Sequence, residues 1–254
     1  MTTIDLKGQA ALVTGGSRGL GRAAAEMLAR AGADIAVSYA SSREAAEGVA
    51  TRCTAFGVRA FAFKAEMARP GEVSSLVRRT LRQFGRLDIL VCNAGIWKEA
   101  AIESMTEEQL GEMMEVNVRG VFRCCREAVP AMKKQGSGRI ILVSSTAGQR
   151  GEARHSHYAA SKGAVISLTK SLAPELAPDG ILVNCIAPGW FDTDMTTLTM
   201  GDPKLRAQVL ATMPLGRIGR PDEFAGAVLF LASSLSTFVT GEVLNVNGGA
   251  VLVG

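Results

Sequence analysis

Three side chains have the types and the spacing of a proton-transfer device. Tyr158 and Lys162 are four residues apart, and Ser145 lies thirteen residues before the tyrosine. Side chains at i and i+4 share one face of a helix, so we expect the ammonium of Lys162 beside the phenol of Tyr158. A phenol ionises near pH ~10, and a nearby cation in a partly dry cleft lowers that pKa. We therefore predict that Tyr158 donates a proton to a carbonyl oxygen or removes one from an alcohol.

A glycine-rich turn near the N-terminus indicates a binding site for a diphosphate. An apolar run ends at Thr14 and is followed by a turn that contains Gly15, Ser17, Arg18, Gly19, Leu20 and Gly21. A helical pattern follows at once, and this order of strand, glycine turn and helix lets the backbone approach a diphosphate. The positive helix N-terminus stabilises the charge of that group. The alternative is a tight turn that only packs the strand against the helix.

Short apolar runs alternate with longer helical patterns along the chain. The runs predict seven strands, at 10–14, 34–39, 59–63, 88–92, 139–144, 181–186 and 243–246. The helical patterns cover 20–31, 42–56, 71–84, 107–134, 158–177 and 221–233. This alternation is typical of an α/β fold, here a Rossmann-like, doubly wound, seven-stranded parallel sheet with helices on both faces. We predict a three-layer αβα sandwich formed as one domain, 1–254, because no linker or repeat divides the chain.

The candidate residues follow the ends of the predicted strands. The glycine turn follows the first strand, Asn93 the fourth, Ser145 the fifth and Pro188 the sixth. Ligands of such folds bind beyond the carboxyl ends of the strands, so we expect these residues to share one site.

These motifs, in this order, resemble the short-chain dehydrogenase/reductase family. The resemblance rests on T-G-x-x-x-G-x-G from Thr14, Asn93-Ala94-Gly95, Asn117, Ser145, Tyr158 with Lys162, and Pro188-Gly189. It extends from about Leu6 to Gly249. Within the family the chain is most similar to the 3-oxoacyl-acyl-carrier-protein reductases, through 138–140, 184–189 and 240–249.

The resemblance implies catalytic roles for four residues. Tyr158 would be the proton donor in reduction, and Lys162 would lower its pKa and bind the nicotinamide ribose. Ser145 would hydrogen-bond the substrate oxygen, with its neighbour Ser144 as the other candidate for this role. Asn117 would hold a water that passes protons towards the lysine. The hydride would come from the cofactor.

The region after the second strand indicates which dinucleotide is bound. Sites specific for NAD place an acid about twenty positions past the glycines, where it bonds the ribose 2′-hydroxyl. Here that region contains Ser41, Ser42 and Arg43, and Arg18 lies in the glycine turn. Hydroxyls and guanidinium groups suit a 2′-phosphate, so we predict NADP(H) in preference to NAD(H). The alternatives are a helix cap at 41–43 and a solvated arginine at 18.

Further cofactor contacts are implied by the resemblance alone. Glu66, followed by Met67, takes the place where relatives carry an aspartate on the adenine, although a plain surface glutamate is the alternative. The remaining implied contacts are Asn93, Ala94, Gly95, Pro188, Gly189 and Thr193, together with Tyr158 and Lys162.

The predicted substrate is a small carbonyl compound, most simply a 3-oxoacyl thioester. The irregular segment 190–213 is expected to form a lid over it, with Trp97 as the opposite wall. An acyl carrier protein is a possible partner, for which Lys133, Lys134 and Arg139 are candidate docking residues, although Pro174 stands where such reductases often have arginine. A general ketone reductase or secondary-alcohol dehydrogenase is the alternative within the family.

Two other classes of protein could account for part of this residue set. A non-catalytic dinucleotide sensor could keep the glycine turn without needing Tyr158 and Lys162. A hydrolase could use Ser145 with His155 or His157, but no G-x-S-x-G motif surrounds the serine.

Composition limits the remaining possibilities. The net charge is +4, and basic residues are spread along the chain without aromatic interleaving, so we expect no nucleic-acid partner. Five cysteines without a CxxC and two histidines predict no metal site. The polar start at 1–7 and the lack of a long apolar run predict a cytoplasmic protein with no membrane partner. The apolar end at 250–254 and the family resemblance predict a homotetramer.

Overall fold

A computed structural model describes residues 4–253 as a layered α/β structure. Residues 1–3 of the polar N-terminus and Gly254 of the apolar C-terminus lie outside this range. Seven parallel strands form one sheet in the order β3-β2-β1-β4-β5-β6-β7. They are β1 Ala10–Val13, β2 Asp34–Tyr39, β3 Ala60–Lys64, β4 Ile89–Cys92, β5 Gly138–Val143, β6 Ile181–Pro188 and β7 Val243–Val246. The predicted fold class and strand number are confirmed, and half of the strand ends match the prediction while the others differ by one or two residues.

Helices cover both faces of the sheet. In chain order they are α1 Gly19–Arg30, α2 Arg43–Thr54, α3 Pro70–Phe84, α4 Glu107–Met114, α5 Gly120–Gln135, α6 Ala147–Arg150, α7 Ser156–Leu176, α8 Thr197–Gly201, α9 Pro203–Ala211 and α10 Pro221–Ala232. Within residues 4–253, no helix has the length and apolar character needed to span a membrane.

The core forms two layers, one on each face of the sheet. Successive strand residues point to opposite faces, so Leu12 and Leu90 pack with α3, α5 and α7, whereas Val13 and Val91 pack with α1, α2 and α10. All four residues of β4 are buried. Burial on both faces explains why the central strands are continuous apolar runs. Each large side chain buried in this way contributes about 1.5–3 kcal/mol to folding.

Two predicted segments differ from the structure. The helix expected at 107–134 is interrupted by one π-helical turn, Glu115–Arg119, which contains the fully buried Asn117. The segment at 190–213, expected to be irregular, contains the short helices α8 and α9. Asp202 caps α9 by accepting from the backbone N–H groups of Lys204 and Leu205, and Pro203 occupies the first helical position.

Candidate active site

The loops after β1 and β4 are joined by hydrogen bonds at the carboxyl edge of the sheet. The hydroxyl of Thr14 accepts from the backbone N–H groups of Asn93 and Ala94, each at 3.0 Å. The side-chain amide of Asn93 donates in return to the carbonyls of Thr14 and Gly15, at 3.0 and 3.2 Å. The predicted glycine turn and the Asn93-Ala94-Gly95 turn therefore form one rigid unit.

Close packing explains the glycines of this unit. Gly15 has a φ of +63°, and a Cβ there would lie 2.9 Å from the Cα of Ala94. A Cβ on Gly21 would lie 2.3 Å from the carbonyl oxygen of Gly15, which is too close for any side chain. Only glycine at this position lets the first turn of α1 pack so tightly against the loop.

The N-terminus of α1 suits a diphosphate. The helix begins at Gly19, its N-cap Arg18 makes no side-chain capping bond, and its first turn contains no acid. The backbone N–H groups of this turn, which includes Leu20, are thus left for an anion, and Ser17 lies in the same turn. Residues 15–21 therefore fit the diphosphate of a dinucleotide.

Ser145 and Tyr158 line one cleft beside this unit. The cleft has a volume of about 440 Å³, counted with its open mouth, and Trp97, Gly189 and Trp190 form other parts of its wall. The hydroxyl oxygen of Ser145 accepts from the backbone N–H of Ala147 at 3.1 Å. Its own proton is thus available to a substrate oxygen.

The neighbouring serine has a different place. Ser144 is buried and donates to the main-chain oxygen of Lys162 at 2.7 Å, so it holds the strand end against α7. Of the two adjacent serines, Ser145 is the one that lines the cleft.

Lys162 is buried behind the cleft. Its ammonium donates to the main-chain oxygen of Val143 at 2.9 Å and lies 5.8 Å from the centre of the Tyr158 ring. A Cβ on Gly95 would lie 3.4 Å from the same nitrogen and 3.2 Å from the side-chain oxygen of Asn117. The structure therefore brings together Asn117, Ser145, Tyr158 and Lys162.

Burial dominates the pKa of both titrating groups. It raises the pKa of Tyr158 to about 12; the Ser145 hydroxyl acts in the lowering direction, and the carboxylate of Glu152 in the raising direction. Burial also lowers the pKa of Lys162 to about 8. The expected lowering of the tyrosine pKa by the lysine is thus not seen, because the ammonium is directed to the carbonyl of Val143 and the phenol is poorly solvated.

Asn117 lies in the π-helical turn and bonds across to the loop after β4. Its side-chain oxygen accepts from the backbone N–H of Ile96, and its amide donates to the carbonyl of Ile96, both at 2.9 Å. The amide also approaches the hydroxyl of Ser161 on α7, at 3.1 Å. The extra residue of the π-turn occurs where this side chain enters the core, as is frequent at functional sites.

The candidate residues for the adenosine end of the cofactor lie after β2 and, for Arg18, in the glycine turn. Arg43 pairs with Glu47 at 2.7 Å, and Arg18 pairs with Asp194 of the lid at 3.8 Å, all at exposed positions. Ser42 occupies the N-cap position of α2 without making a capping bond, so capping does not explain it. Ser41 is exposed.

Glu66 and Met67, which are predicted to contact the cofactor, differ in their surroundings: the first forms an ion pair and the second is buried. The carboxylate of Glu66 pairs with Arg69 at 2.8 Å, which partly neutralises it. Met67 is buried in the core against Cys124, so only its backbone can face a cofactor.

The predicted residues after β6 begin the lid. Pro188 ends the strand, and Gly189 follows it at the wall of the cleft. A Cβ added to Gly19 would lie 3.4 Å from the methyl group of Thr193, so the lid starts directly beside the glycine turn.

Aromatic rings form the outer part of the cleft. Trp97 stacks on His155 at 4.6 Å with 6° between the planes and meets the edge of Trp190 at 5.9 Å. Sequence reasoning placed Trp97 here but missed Arg150 and Glu152, which also line the cleft. In the sequence, only their position a few residues beyond Ser145 indicates that they could lie near the cleft.

The serine hydrolase alternative finds no support in the geometry. His155 contacts the main-chain oxygen of Ala153, and neither histidine forms a hydrogen bond with Ser145 in the described part of the chain. His157 is buried, and burial lowers its pKa. Residues 4–253 contain no cluster of three or more metal-ligating side chains.

The predicted docking cations lie at the wrong edge of the sheet. Lys133 and Lys134 end α5, and Lys133 pairs with Asp179 just before β6 at 2.8 Å. Arg139 lies at the start of β5, where its backbone pairs with Asp88. The prediction was wrong because α5 runs antiparallel to the strands, so its end is at the amino edge, opposite the cleft.

Comparisons with known proteins agree with this arrangement. Residues 15–251 match the family model described as Enoyl-(Acyl carrier protein) reductase. A 3-oxoacyl-(acyl-carrier-protein) reductase of Staphylococcus aureus is 43% identical over 241 residues, which are 95% of this chain and 97% of that protein. The corresponding protein of Escherichia coli K12 is 40% identical over 250 residues, 98% of this chain and all of the relative.

A solved structure shows the same likeness. The chain is similar to a short-chain dehydrogenase from Burkholderia cenocepacia in complex with NADP, with a TM-score of 0.90 and 38% identity over 96% of this chain and 98% of that one. The fold, the glycine turn and these relatives together make the protein an enzyme that uses a nicotinamide dinucleotide. It belongs to the short-chain dehydrogenase/reductase family of oxidoreductases.

Proposed function

We propose that the enzyme reduces the 3-oxo group of an acyl thioester to a secondary alcohol, with NADPH as the hydride donor. The observation that carries the proposal is the single cleft that contains Ser145 and Tyr158, with Lys162 buried behind it. The curated relatives named above are 3-oxoacyl reductases, which favours this substrate class.

The residues of the cleft act on the substrate oxygen. Ser145 donates its hydroxyl proton in a hydrogen bond to the carbonyl oxygen and stabilises the negative charge that develops there. Tyr158 transfers its proton to the same oxygen. The phenol is protonated at neutral pH, so its proton is available for transfer, whereas a pKa of about 12 lies above the range that suits proton transfer at that pH. The cofactor, when bound, supplies the hydride.

Lys162 and Asn117 support this proton transfer from behind. The lysine would hold the nicotinamide ribose. Asn117 would hold the water that returns a proton towards the lysine. The diphosphate would bind residues 15–21, and Asn93, Ala94, Gly189 and Thr193 would contact the rest of the cofactor.

The preference for NADPH over NADH is part of the proposal. No acid occupies 38–43, and Ser41, Ser42 and Arg43 offer hydroxyl and guanidinium donors to a 2′-phosphate. Arg18 would share this phosphate by leaving Asp194, a change of low cost because the exposed pair is worth only about 0–1 kcal/mol.

An acyl carrier protein is the proposed carrier of the substrate. Arg150 lines the cleft, whereas Lys98 and Arg154 are exposed and paired with Glu112 and Glu99. Arg150 attracts an acidic partner, and the other two cations do so once their exposed ion pairs, worth only about 0–1 kcal/mol, have opened. They replace the cations at the amino edge as the candidate docking residues.

A homotetramer is the proposed assembly. Large apolar side chains are exposed on α5 and near the C-terminus, among them Phe122 and Leu252. Exposed apolar patches usually mark interfaces. Light scattering at micromolar concentration tests this assembly, and a monomer would contradict it.

Initial rates with acetoacetyl-CoA test the proposed reaction. NADPH and NADH are supplied in turn, and we expect rapid oxidation of NADPH and slow oxidation of NADH. If both dinucleotides bind and neither is oxidised, the thioester proposal fails. Simple ketones and secondary alcohols then become the substrates to screen.

A further inference from the structure

A second cavity adjoins the catalytic cleft, and Trp190 lines both of them. This tail cavity has a volume of about 380 Å³, counted with its open mouth. The enclosed part is about 100 Å³, which approaches the ~150 Å³ of an apolar cavity that holds a benzene ring. Phe191, Met213, Leu215 and Val246 form most of its wall. The segment that returns from the lid thus covers a space large enough for part of a ligand.

The side chains that line the tail cavity favour an uncharged, apolar ligand. Arg217 and Glu223 also reach the wall, but the guanidinium donates to both carboxylate oxygens, at 2.7 and 2.8 Å. Two groups that satisfy each other in this way leave neither charge free for a ligand. The other lining side chains are mostly hydrocarbon or aromatic, so an aliphatic chain fits this cavity better than a sugar or a phosphate.

Trp190 is held by its backbone and not by its ring. Its carbonyl accepts from the backbone N–H of Gly219 at 2.8 Å, and the next residue, Phe191, packs on Phe224 in the core. Within residues 4–253 its indole N–H makes no hydrogen bond, and its side chain lines both spaces, with its ring perpendicular to that of Trp97 at a centroid distance of 5.9 Å. Rotation of the side chain can therefore connect the two spaces without moving the loop.

We propose that the tail cavity binds the apolar end of the acyl substrate, and that the indole of Trp190 is the movable partition between it and the catalytic cleft. The inference rests on the proposed function, because it assigns a site to the part of the acyl chain beyond the reacting carbonyl. A short acyl group stays in the cleft beside Tyr158, whereas a longer one displaces the indole and enters the tail cavity.

Steady-state kinetics with acetoacetyl-CoA and 3-oxododecanoyl-CoA test the proposal. Leu215→Trp narrows the mouth of the tail cavity at a position that is 66% exposed, so folding should survive. We expect this variant to raise KM for the long substrate by roughly tenfold or more and to leave the short substrate unchanged. Leu235→Trp, just after α10, is the matched control, because that residue is exposed and lies outside both the lid and the cavity wall. Trp190→Ala should lower KM for the long substrate relative to the short one.

Calorimetric binding of dodecanoyl-CoA and butyryl-CoA gives a reading that does not depend on turnover. The unaltered protein should bind the longer ligand more tightly, and Leu215→Trp should remove that advantage. Equal effects of Leu215→Trp and Leu235→Trp would overturn the proposal. A changed oligomeric state of Leu215→Trp in light scattering would also overturn it, since the cavity would then be a contact between copies. If the thioesters bind as expected but are not reduced, the proposed reaction fails and the tail site stands.

Discussion

The ammonium of Lys162 lies 5.8 Å from the centre of the Tyr158 ring and donates to the main-chain oxygen of Val143. The lysine is thus tied to β5, one turn along α7 from the tyrosine. Lys162 is buried and Tyr158 is half-buried in the cleft wall, so burial moves the two pKa values in opposite directions, and each group stays in its neutral form over a wider pH range.

The buried lysine makes stability depend on pH. Its pKa is lowered from 10.5 to about 8, so between these values the unfolded chain holds a proton on Lys162 that the folded chain has lost, and the contribution of this lysine to the free energy of unfolding rises with pH. Lys162→Met should abolish a rise on the order of 3 kcal/mol. Tyr158 acts in the opposite direction above about pH 10, where the unfolded phenol ionises first. The buried thiols of Cys53 and Cys185, with pKa values raised from 9.0 to about 12 and about 11, also act in that direction once the unfolded thiols ionise. The difference between the unaltered protein and Lys162→Met isolates the lysine, because both proteins share the tyrosine and the thiols. Urea unfolding across this range measures the slope. Lys170→Met, at an exposed position of α7, is the control and should keep it.

The phenol of Tyr158 is expected to be necessary for turnover. Tyr158→Phe removes the proton donor and should lower kcat by roughly 10²–10⁴-fold, while NADPH binding stays within a few-fold. Tyr39→Phe is the control, because Tyr39 is the other tyrosine of the sequence and lies at the end of β2. Stopped-flow hydride transfer and fluorescence titration separate the two quantities. Unchanged turnover in Tyr158→Phe would disprove the mechanism.

The guanidinium of Arg43 is expected to select the phosphorylated cofactor. Arg43→Ala should raise KM for NADPH by about 10–100-fold, since a hydrogen bond to a charged group is worth ~1.5–3 kcal/mol, and leave KM for NADH unchanged. Arg52→Ala is the matched control: Arg52 lies on the same helix but pairs with Glu26. If KM rose equally for NADPH and NADH, Arg43 would support the structure of α2 and would not bind the 2′-phosphate.

Asn117 is expected to matter for stability and for activity together. Asn117→Ala leaves the N–H and carbonyl of Ile96 without partners, so the free energy of unfolding should fall by roughly 2–5 kcal/mol. The variant should also have a lower kcat at temperatures at which it is still folded. Gln135→Ala is the matched control. Gln135 bonds the N–H and carbonyl of Leu87 in the same way, each at 3.0 Å, but at the far edge of the sheet.

Thermal unfolding and initial rates distinguish the two variants. Gln135→Ala should lose stability and keep its kcat. Equal kcat values for the two variants would limit Asn117 to a structural role.

Local patterns determined the parts of the structure that depend on neighbours in sequence. The strands of the central sheet were predictable because burial on both faces makes them short apolar runs. The pairing of Tyr158 with Lys162 on one helix followed from the period of that helix, and the glycine turn followed from its place between a strand and a helix.

Contacts between distant segments were decided by the tertiary structure alone. Trp97, His155 and Trp190 come from three different loops, and no local sequence pattern predicts that their rings are in contact. The amino-edge position of Lys133 depends on the direction of α5 relative to the sheet. The raised pKa of Tyr158 depends on burial. The sequence by itself determined the residue types and the order of the motifs, whereas packing decided their surroundings, because solvation and long-range contacts exist only once the chain has folded.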